Sequence, residues 1–367
     1  MFNLFKRKEK FLLLDVSTEK ISGLLISLDS QKRIKKEKFW ENIERHSSRR
    51  WPSIPIFNKT IVACNPELAV KIFIPLSISR ESGAGVLERV ELENLLAQAI
   101  GKVFNHYRRE ASLVLGEDEL DTILADSNVS CFEVDGHKVI NPLGFSPNEI
   151  KALMEMTFSA RRTYERIKTA LNKPNFFLTE KGQAQSEAIK RLGYKKADFL
   201  SLGCDKSYFY PGYVPGTPYS RRELKWSTNG FISDIGNRWN LGEKAAEDVY
   251  YYYLKKGVSP VMDRYLSKIL SKNARDLGDR VKKIKTAPSV CFTGDVPVEL
   301  IGRSLFYEPP LENFLSKSGF SAESDVLHSG PEAFQTLAPF LEFYYDNSDN
   351  EINGWLKRRL HWLGSAV

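Results

Sequence analysis

The stretch Phe11–Ser27, FLLLDVSTEKISGLLIS, constrains this chain more than any other. Phe11 to Leu14 is a continuous apolar run. Asp15 ends it, Ser17-Thr18-Glu19-Lys20 is a polar turn, and Ile21 to Ile26 is apolar again. Two short apolar runs about a tight turn predict a β-hairpin with both strands buried. A tight turn with upward-pointing N–H groups can seat a phosphate, and a nearby Asp can hold Mg²⁺ directly or through water. The same grammar returns at Phe199–Tyr210, FLSLGCDKSYFY, with Gly203, Cys204, Asp205 and Lys206 in the turn. Val290-Cys291-Phe292-Thr293-Gly294-Asp295 is a third strand that runs into a glycine turn. Each motif alone also reads as an ordinary hairpin. The ordered set points to a nucleotide fold.

At 367 residues the chain is long enough for two domains with sizeable cores. Its 42% hydrophobic and 27% charged content is that of a globular protein. No apolar segment reaches the roughly 18–20 residues that cross a bilayer. The basic-then-apolar start MFNLFKRKEKFLLLDV is not expected to be a signal peptide, because Asp15 interrupts it and no small-residue cleavage site follows. Cys64, Cys131, Cys204 and Cys291 lie far apart, which supports neither a zinc site nor a disulfide framework and fits a reducing cytoplasm. The net charge of +7 is concentrated in short patches at Lys6–Lys8, Lys32–Lys38, Lys282–Lys285 and Lys357–Arg359. No long basic face interleaved with aromatics occurs, so nucleic acid is not the expected partner. Basic residues beside apolar ones at both chain ends suggest anionic lipid instead.

Along the chain, Gln31 to Lys38 reads as a basic turn, Phe39 to Trp51 as a short helix or loop, and Trp51-Pro52-Ser53-Ile54-Pro55 as a boundary. From about 58 to 145 the texture is strand, strand, helix, strand: Thr60–Cys64, Leu68–Ile78, a helix over Val90–Tyr107, and two short strands within Leu120–Val134. This is a small α+β unit inserted in the first domain. Residues 148–172 read as helical or mixed, and Thr179–Leu192 as a helix ended by Gly193. Domain boundaries are expected at 1–194 and 195–345, with strong helicity over 231–285, a last globular helix over Pro331–Tyr345 and a polar linker at 346–350.

The segment Glu351–Leu363, EINGWLKRRLHWL, sets Ile352, Leu356, Leu360 and Leu363 on one helical face, with Trp355 and Trp362 at its edge. Lys357, Arg358 and His361 lie opposite, and Arg359 snorkels from the apolar arc. Tryptophans flanking leucines, with cations opposite, compose a helix that lies in a bilayer interface. The competing reading is a terminal helix docked on the protein's own core.

Taken together these pieces resemble the FtsA family, actin-like proteins of bacterial division that tether FtsZ filaments to the membrane. The resemblance covers nearly the whole chain. Val134-Asp135-Gly136 leading to Asn141-Pro142-Leu143-Gly144-Phe145 is similar to the family's exit from its characteristic subdomain, the most specific match. Leu202-Gly203 resembles the second phosphate loop. Asn229-Gly230-Phe231-Ile232-Ser233-Asp234-Ile235, with Ala246-Glu247, resembles the segment after it, and Thr293-Gly294 the adenosine site. The resemblance implies an α/β actin-like ATPase fold of two ribonuclease-H-like domains, with an inserted α+β subdomain and a C-terminal amphipathic helix at 351–367. It implies ATP and Mg²⁺ as cofactors, held by Asp15, Ser17–Lys20, Gly203–Lys206, Asn229, Gly230, Glu247, Thr293, Gly294 and Asp295, with Asp15 facing the metal. It implies the FtsZ C-terminal tail as partner, self-association into filaments, and lipid contact through Trp355, Leu356, Lys357, Arg358, Leu360, Trp362 and Leu363 on the inner face of the cell membrane.

Five positions depart from the family pattern: Ser17, Asn229 and Asp295 stand where glycines are expected, Ser201 replaces a carboxylate, and Tyr250 replaces a basic residue. Glycine at such turns lets backbone approach phosphate, so nucleotide binding and hydrolysis are expected to suffer more than the fold. Two alternatives stay open. One is a PilM-like platform of type IV pilus assembly, which binds a short peptide of a membrane partner. The other is a small-molecule kinase of the same superfamily, against which Ser201 argues.

Overall fold

The computed structural model describes residues 9–43, 59–80, 85–171, 176–191, 197–212, 218–301, 306–307, 315–323, 331–345 and 352–356. Two compact units emerge. The first comprises 1–184, 214–220 and 319–367, the second 185–213 and 221–318.

In the first unit, β1 (Glu9–Val16), β2 (Ile21–Leu28) and β3 (Arg33–Trp40) form an antiparallel meander. The hairpin is as expected. The third strand replaces the expected basic turn and reaches into the expected helix or loop at 39–51, of which 44–51 lie outside the described residues. Asp29 Oδ1 accepts from the backbone N–H of Gln31 and Arg33, and Lys32 adopts φ 56°, which folds the chain back along β2 within a few residues. β4 (Lys59–Cys64) pairs parallel with β1.

The inserted unit follows: β5 (Ala69–Ser79), α1 (Arg89–Leu115), β6 (Thr122–Val134), β7 (His137–Val139) and β8 (Glu149–Ala160), with sheet order β5-β8-β6-β7. α1 lays Leu92, Leu96, Ile100 and Phe104 on one face of that sheet. The insertion therefore runs over about 69–160, not 58–145. Thr60–Cys64 belongs to the main sheet, and β8 completes the inserted one. Glu149–Ala160, expected to be largely helical or mixed, is a strand: its inward residues Ala152, Met154 and Met156 are good helix formers, but its burial alternates with period two. β6 is one strand, not two, with register breaks at Leu124/Asp126 and Val129/Cys131.

α2 (Arg161–Leu171) leads back to β9 (Phe177–Glu180), parallel to β4, and into α3 (Lys181–Arg191). The second unit holds β10 (Ala197–Ser201), β11 (Ser207–Tyr210), β12 (Arg222–Leu224), α4 (Asn229–Trp239), α5 (Glu243–Leu254), α6 (Pro260–Ile284), β13 (Ser289–Thr293), α7 (Val298–Ile301) and β14 (Phe306–Tyr307). Its sheet order is β12-β11-β10-β13-β14. The main sheet of the first unit contains β3-β2-β1-β4-β9 in sequence. Both sheets thus run third, second, first, fourth, fifth: an antiparallel hairpin edge joined to parallel strands.

β15 (Ser321–Ala322) and α8 (Pro331–Tyr345) return to the first unit rather than staying in the second domain as expected. α8 sets Phe340 edge-to-face on Phe11 of β1, with centroids 5.0 Å apart. The helical turn 352–356 also belongs here. Ile352 and Leu356 are buried in the α1–sheet core, and Trp355 packs against it. Leu356, expected to face lipid, is fully enclosed. Lys357, Arg358, Leu360, Trp362, Leu363 and the linker 346–350 lie outside the described residues. Among the described residues no helix is long and apolar enough to cross a membrane.

Candidate functional site

The first candidate loop sits at the carboxyl ends of parallel β1, β4 and β9, the edge at which open α/β sheets take ligands. Register puts Cys64 opposite Val16 and Glu180, so Asp15, Cys64, Glu180 and Lys181 gather there. In the 17–20 turn, Ser17 N donates to the Lys20 carbonyl at 2.9 Å. The Ser17 hydroxyl accepts from the N–H of Glu19 at 3.3 Å and of Lys20 at 3.1 Å. The N–H groups a phosphate would take are thus taken by Ser17. Arg166 of α2 donates to the Ser17 carbonyl at 2.9 Å and the Thr18 carbonyl at 3.4 Å, fixing the turn from outside. Asp15 Oδ2 accepts from Lys181 Nζ at 2.7 Å, while its Oδ1 is buried with no hydrogen-bond partner. Burial, then the charges of Asp15 and Glu180, push the Cys64 thiol far above its usual range, so it is inert. An open hollow of ≈ 680 Å³ adjoins the turn, lined by Glu19, Lys20, Lys38, Phe39, Trp40, Glu41 and Asn42.

Glu180, Lys181 and Arg166 were not foreseen. The signal for Glu180 and Lys181 lies in Phe176-Phe177-Leu178-Thr179-Glu180-Lys181, an apolar run with a charged end like that of β1; Arg166 carries none. That signal is absorbed into the expected helix at 179–192.

The second unit repeats the arrangement at β10, β11 and β13. Gly203 closes the turn so tightly that a Cβ there would lie 2.4 Å from the Lys206 carbonyl oxygen. Its carbonyl accepts from Thr228 N at 3.0 Å, and that of Cys204 from Asn229 N at 3.1 Å. The Asn229 amide donates to Asp205 Oδ1 at 2.8 Å. Gly203, Cys204, Asp205 and Asn229 are therefore brought together, but bonded to each other. Gly230 abuts the Asn273 side chain, which donates to Asp234. At the end of β13, Gly294 takes φ 136° and lies against the Leu202 carbonyl, where a Cβ would approach to 2.3 Å. Leu202 N donates to the Thr293 carbonyl at 2.8 Å. Tyr250 donates its hydroxyl to the Asp295 carbonyl at 2.6 Å and stacks on Phe231. Burial, then Asp295, hold that phenol far above its ordinary range, so it stays a donor. Burial and then Cys204 push Tyr251 up to about 12. Glu247 pairs with Lys244 at 2.9 Å. Lys206 is exposed.

No protein-family model and no curated protein matches the sequence. Solved structures do. A chain of the PilM–PilN complex of type IV pilus biogenesis superposes with TM-score 0.52 at 12% identity, over 92% of this chain and 98% of that one. The fold is that of the actin-like ATPases. A Bacteroides thetaiotaomicron protein with actin-like ATPase fold and unknown function matches over 92% of this chain and 99% of its own, at TM-score 0.35 and 11% identity. Ethanolamine utilization protein EutJ from Carboxydothermus hydrogenoformans matches over 93% and 91%, at TM-score 0.37 and 11% identity.

The actin-like ATPase fold implies a magnesium nucleotide, and the residues present do not fit one. Asp15 Oδ1 is buried without a hydrogen-bond partner. A divalent ion there would share its carboxylate with the Lys181 ammonium, an unfavourable pairing of like charges. Ser17 holds the N–H groups of the first loop. Asn229 holds Asp205, Ser201 offers no charge where a second carboxylate is needed, and Tyr250 holds the Asp295 carbonyl in the turn after β13. Among the described residues no group of three or more His, Cys, Asp or Glu is placed to hold a metal ion.

Proposed function

We propose that this chain is a nucleotide-independent adaptor of the actin fold that works at an anionic membrane surface, holding a partner rather than turning over ATP. The observation that carries this reading is the closure of the phosphate-type turns by the chain's own side chains: Ser17 takes the Glu19 and Lys20 N–H groups in the first, and Ser207 takes the Gly203 N–H in the second while Asn229 ties up Asp205. A site built to exchange phosphate leaves such donors open, whereas a scaffold gains by satisfying them.

The tail composition supports the surface. Lys357, Arg358 and Arg359 each add about 1 kcal/mol near anionic lipid, and self-association multiplies a weak contact by avidity. Two partners fit an adaptor of this kind: the C-terminal tail of a division filament such as FtsZ, as the sequence resemblance implies, or a peptide of a pilus membrane protein. The second is favoured by the likeness in fold over 98% of the PilM–PilN chain.

Vesicle flotation and peptide anisotropy test the reading together. The protein is expected to float with phosphatidylglycerol vesicles equally with and without Mg-ATP, to lose this on deletion of 357–367, and to bind one of the two peptides. Flotation that requires ATP would refute nucleotide independence, and failure to float would refute the membrane surface.

A further inference from the structure

Beyond the end of β7, no strand among the described residues pairs with the outer edge of β6. β7 pairs with β6 only at Phe132, Glu133 and Val134. Upstream, at the register break after Val129, the C-terminal segment covers that edge. Asn353 Oδ1 accepts from Val129 N at 2.9 Å, and Asn353 Nδ2 donates to the Val129 carbonyl at 3.3 Å. One side-chain amide thus completes both hydrogen bonds that a neighbouring strand would make. On either side of it, Ile352 and Leu356 enter the core beneath α1 at 4% and 0% exposure, and Asn353 itself is fully buried.

Ile352 and Leu356 are four residues apart and share a helical face. Leu360 and Leu363 continue that same face in sequence, and it is the face the membrane reading assigns to lipid. One face cannot lie in a protein core and in a bilayer at once. We infer that docking of 352–356 on β6 is an autoinhibitory contact that competes with anionic lipid for the tail. The inference rests on the membrane reading above and adds a regulation to it. In solution the face is sheltered and the β6 edge closed. On lipid the face is withdrawn, and the Val129 amide loses its partner.

Hydrogen exchange at Val129, with and without vesicles of equal parts phosphatidylglycerol and phosphatidylcholine, reads this directly in the full chain. Exchange at Val129 is expected to quicken by about tenfold or more on vesicles, the factor that loss of the amide's hydrogen bonds implies. In parallel, Asn353→Ala is expected to bind these vesicles about tenfold more tightly than wild type, because the docked state it must leave is weaker. Val129 that stays protected on vesicles, or N353A that binds no better, overturns the switch. Deletion of 357–367 keeps the two ideas apart. If the deletion abolishes binding while Val129 of the full chain stays protected on vesicles, the switch alone fails. If the full chain never binds, both fail.

Discussion

The Lys71 ammonium is the least expected charge in the molecule. It is buried on β5 and lies 2.6 Å from Glu155 of β8 and 2.6 Å from Glu342 of α8. Burial draws Lys71 downward, but the two carboxylates more than reverse this and leave it well above its ordinary range. Burial pushes Glu342 up against the pull of Lys71. Two carboxylates against one ammonium leave a net negative charge out of water, and desolvation wins at Glu342. Lys71→Met strands both carboxylates and is expected to cost about 3–5 kcal/mol in urea unfolding. Glu342→Gln separates a different effect. Glu342 binds its proton more tightly folded than unfolded, so above its ordinary value of 4.5 the folded chain holds the extra proton. Stability therefore falls as pH rises from there through the folded value, and is highest below it. E342Q is expected to flatten that decline; an unchanged pH slope in urea midpoints would show that Glu342 does not cause it. None of this was legible in the sequence. Contacts between Lys71 of β5, Glu155 of β8 and Glu342 of a helix some 270 residues later leave no local spacing for a sequence to show. Asp15 and Gly294 were legible because a strand end and a glycine turn are local.

Among the elements, the terminal turn 352–356 shows where pattern reading stops. The periodicity picks the correct face, Ile352 with Leu356, and leaves open what covers it. An apolar stripe states that water is to be excluded, not whether lipid or the protein's own core excludes it. The magnitudes make both outcomes reachable. Burying Ile352 and Leu356 contributes roughly 1.5–3 kcal/mol each, and the Asn353 hydrogen bonds about 0.5–1.5 kcal/mol each. Against these stand three cations at about 1 kcal/mol each on an anionic surface and the apolar residues beyond Leu356. Several kcal/mol on either side is the near-balance a switch requires. Leu356→Ala, by opening a cavity beneath α1, is expected to destabilise the protein by about 2–5 kcal/mol. A urea midpoint unchanged from wild type would mean that the turn is not docked in solution. β3 failed to show itself for a related reason. Lys35, Lys36 and Lys38 give it the charge expected of a loop, yet β3 pairs with β2 on one side and with the short β15 on the other, and its lysines lie largely on the exposed face of that sheet.

For the whole molecule, the order of motifs carried the fold because the architecture repeats. Two hairpins, each extended by parallel strands in the same order, place two similar turns at equivalent sheet edges, and a reader of the sequence meets that grammar twice. What the motifs could not convey is whether the turns still work, since that depends on which side chains fold back onto them. This yields a test at the scale of the whole chain. A nucleotide that binds only the folded state and is present at 100 times its Kd stabilises it by about 2.7 kcal/mol. On cooperative units of this size that raises Tm by roughly 5–10 °C. With Ser17, Lys181, Asn229 and Tyr250 occupying the donors and acceptors, saturating Mg-ATP is expected to shift Tm by less than about 1 °C. A shift of several degrees would mean that these contacts yield to the ligand and that closure of the turns is no barrier. Ser17→Gly refines the outcome. It frees the Glu19 and Lys20 amides while leaving the hairpin strands untouched, so an Mg-ATP shift that appears in S17G alone would assign the closure of the first turn to that single hydroxyl.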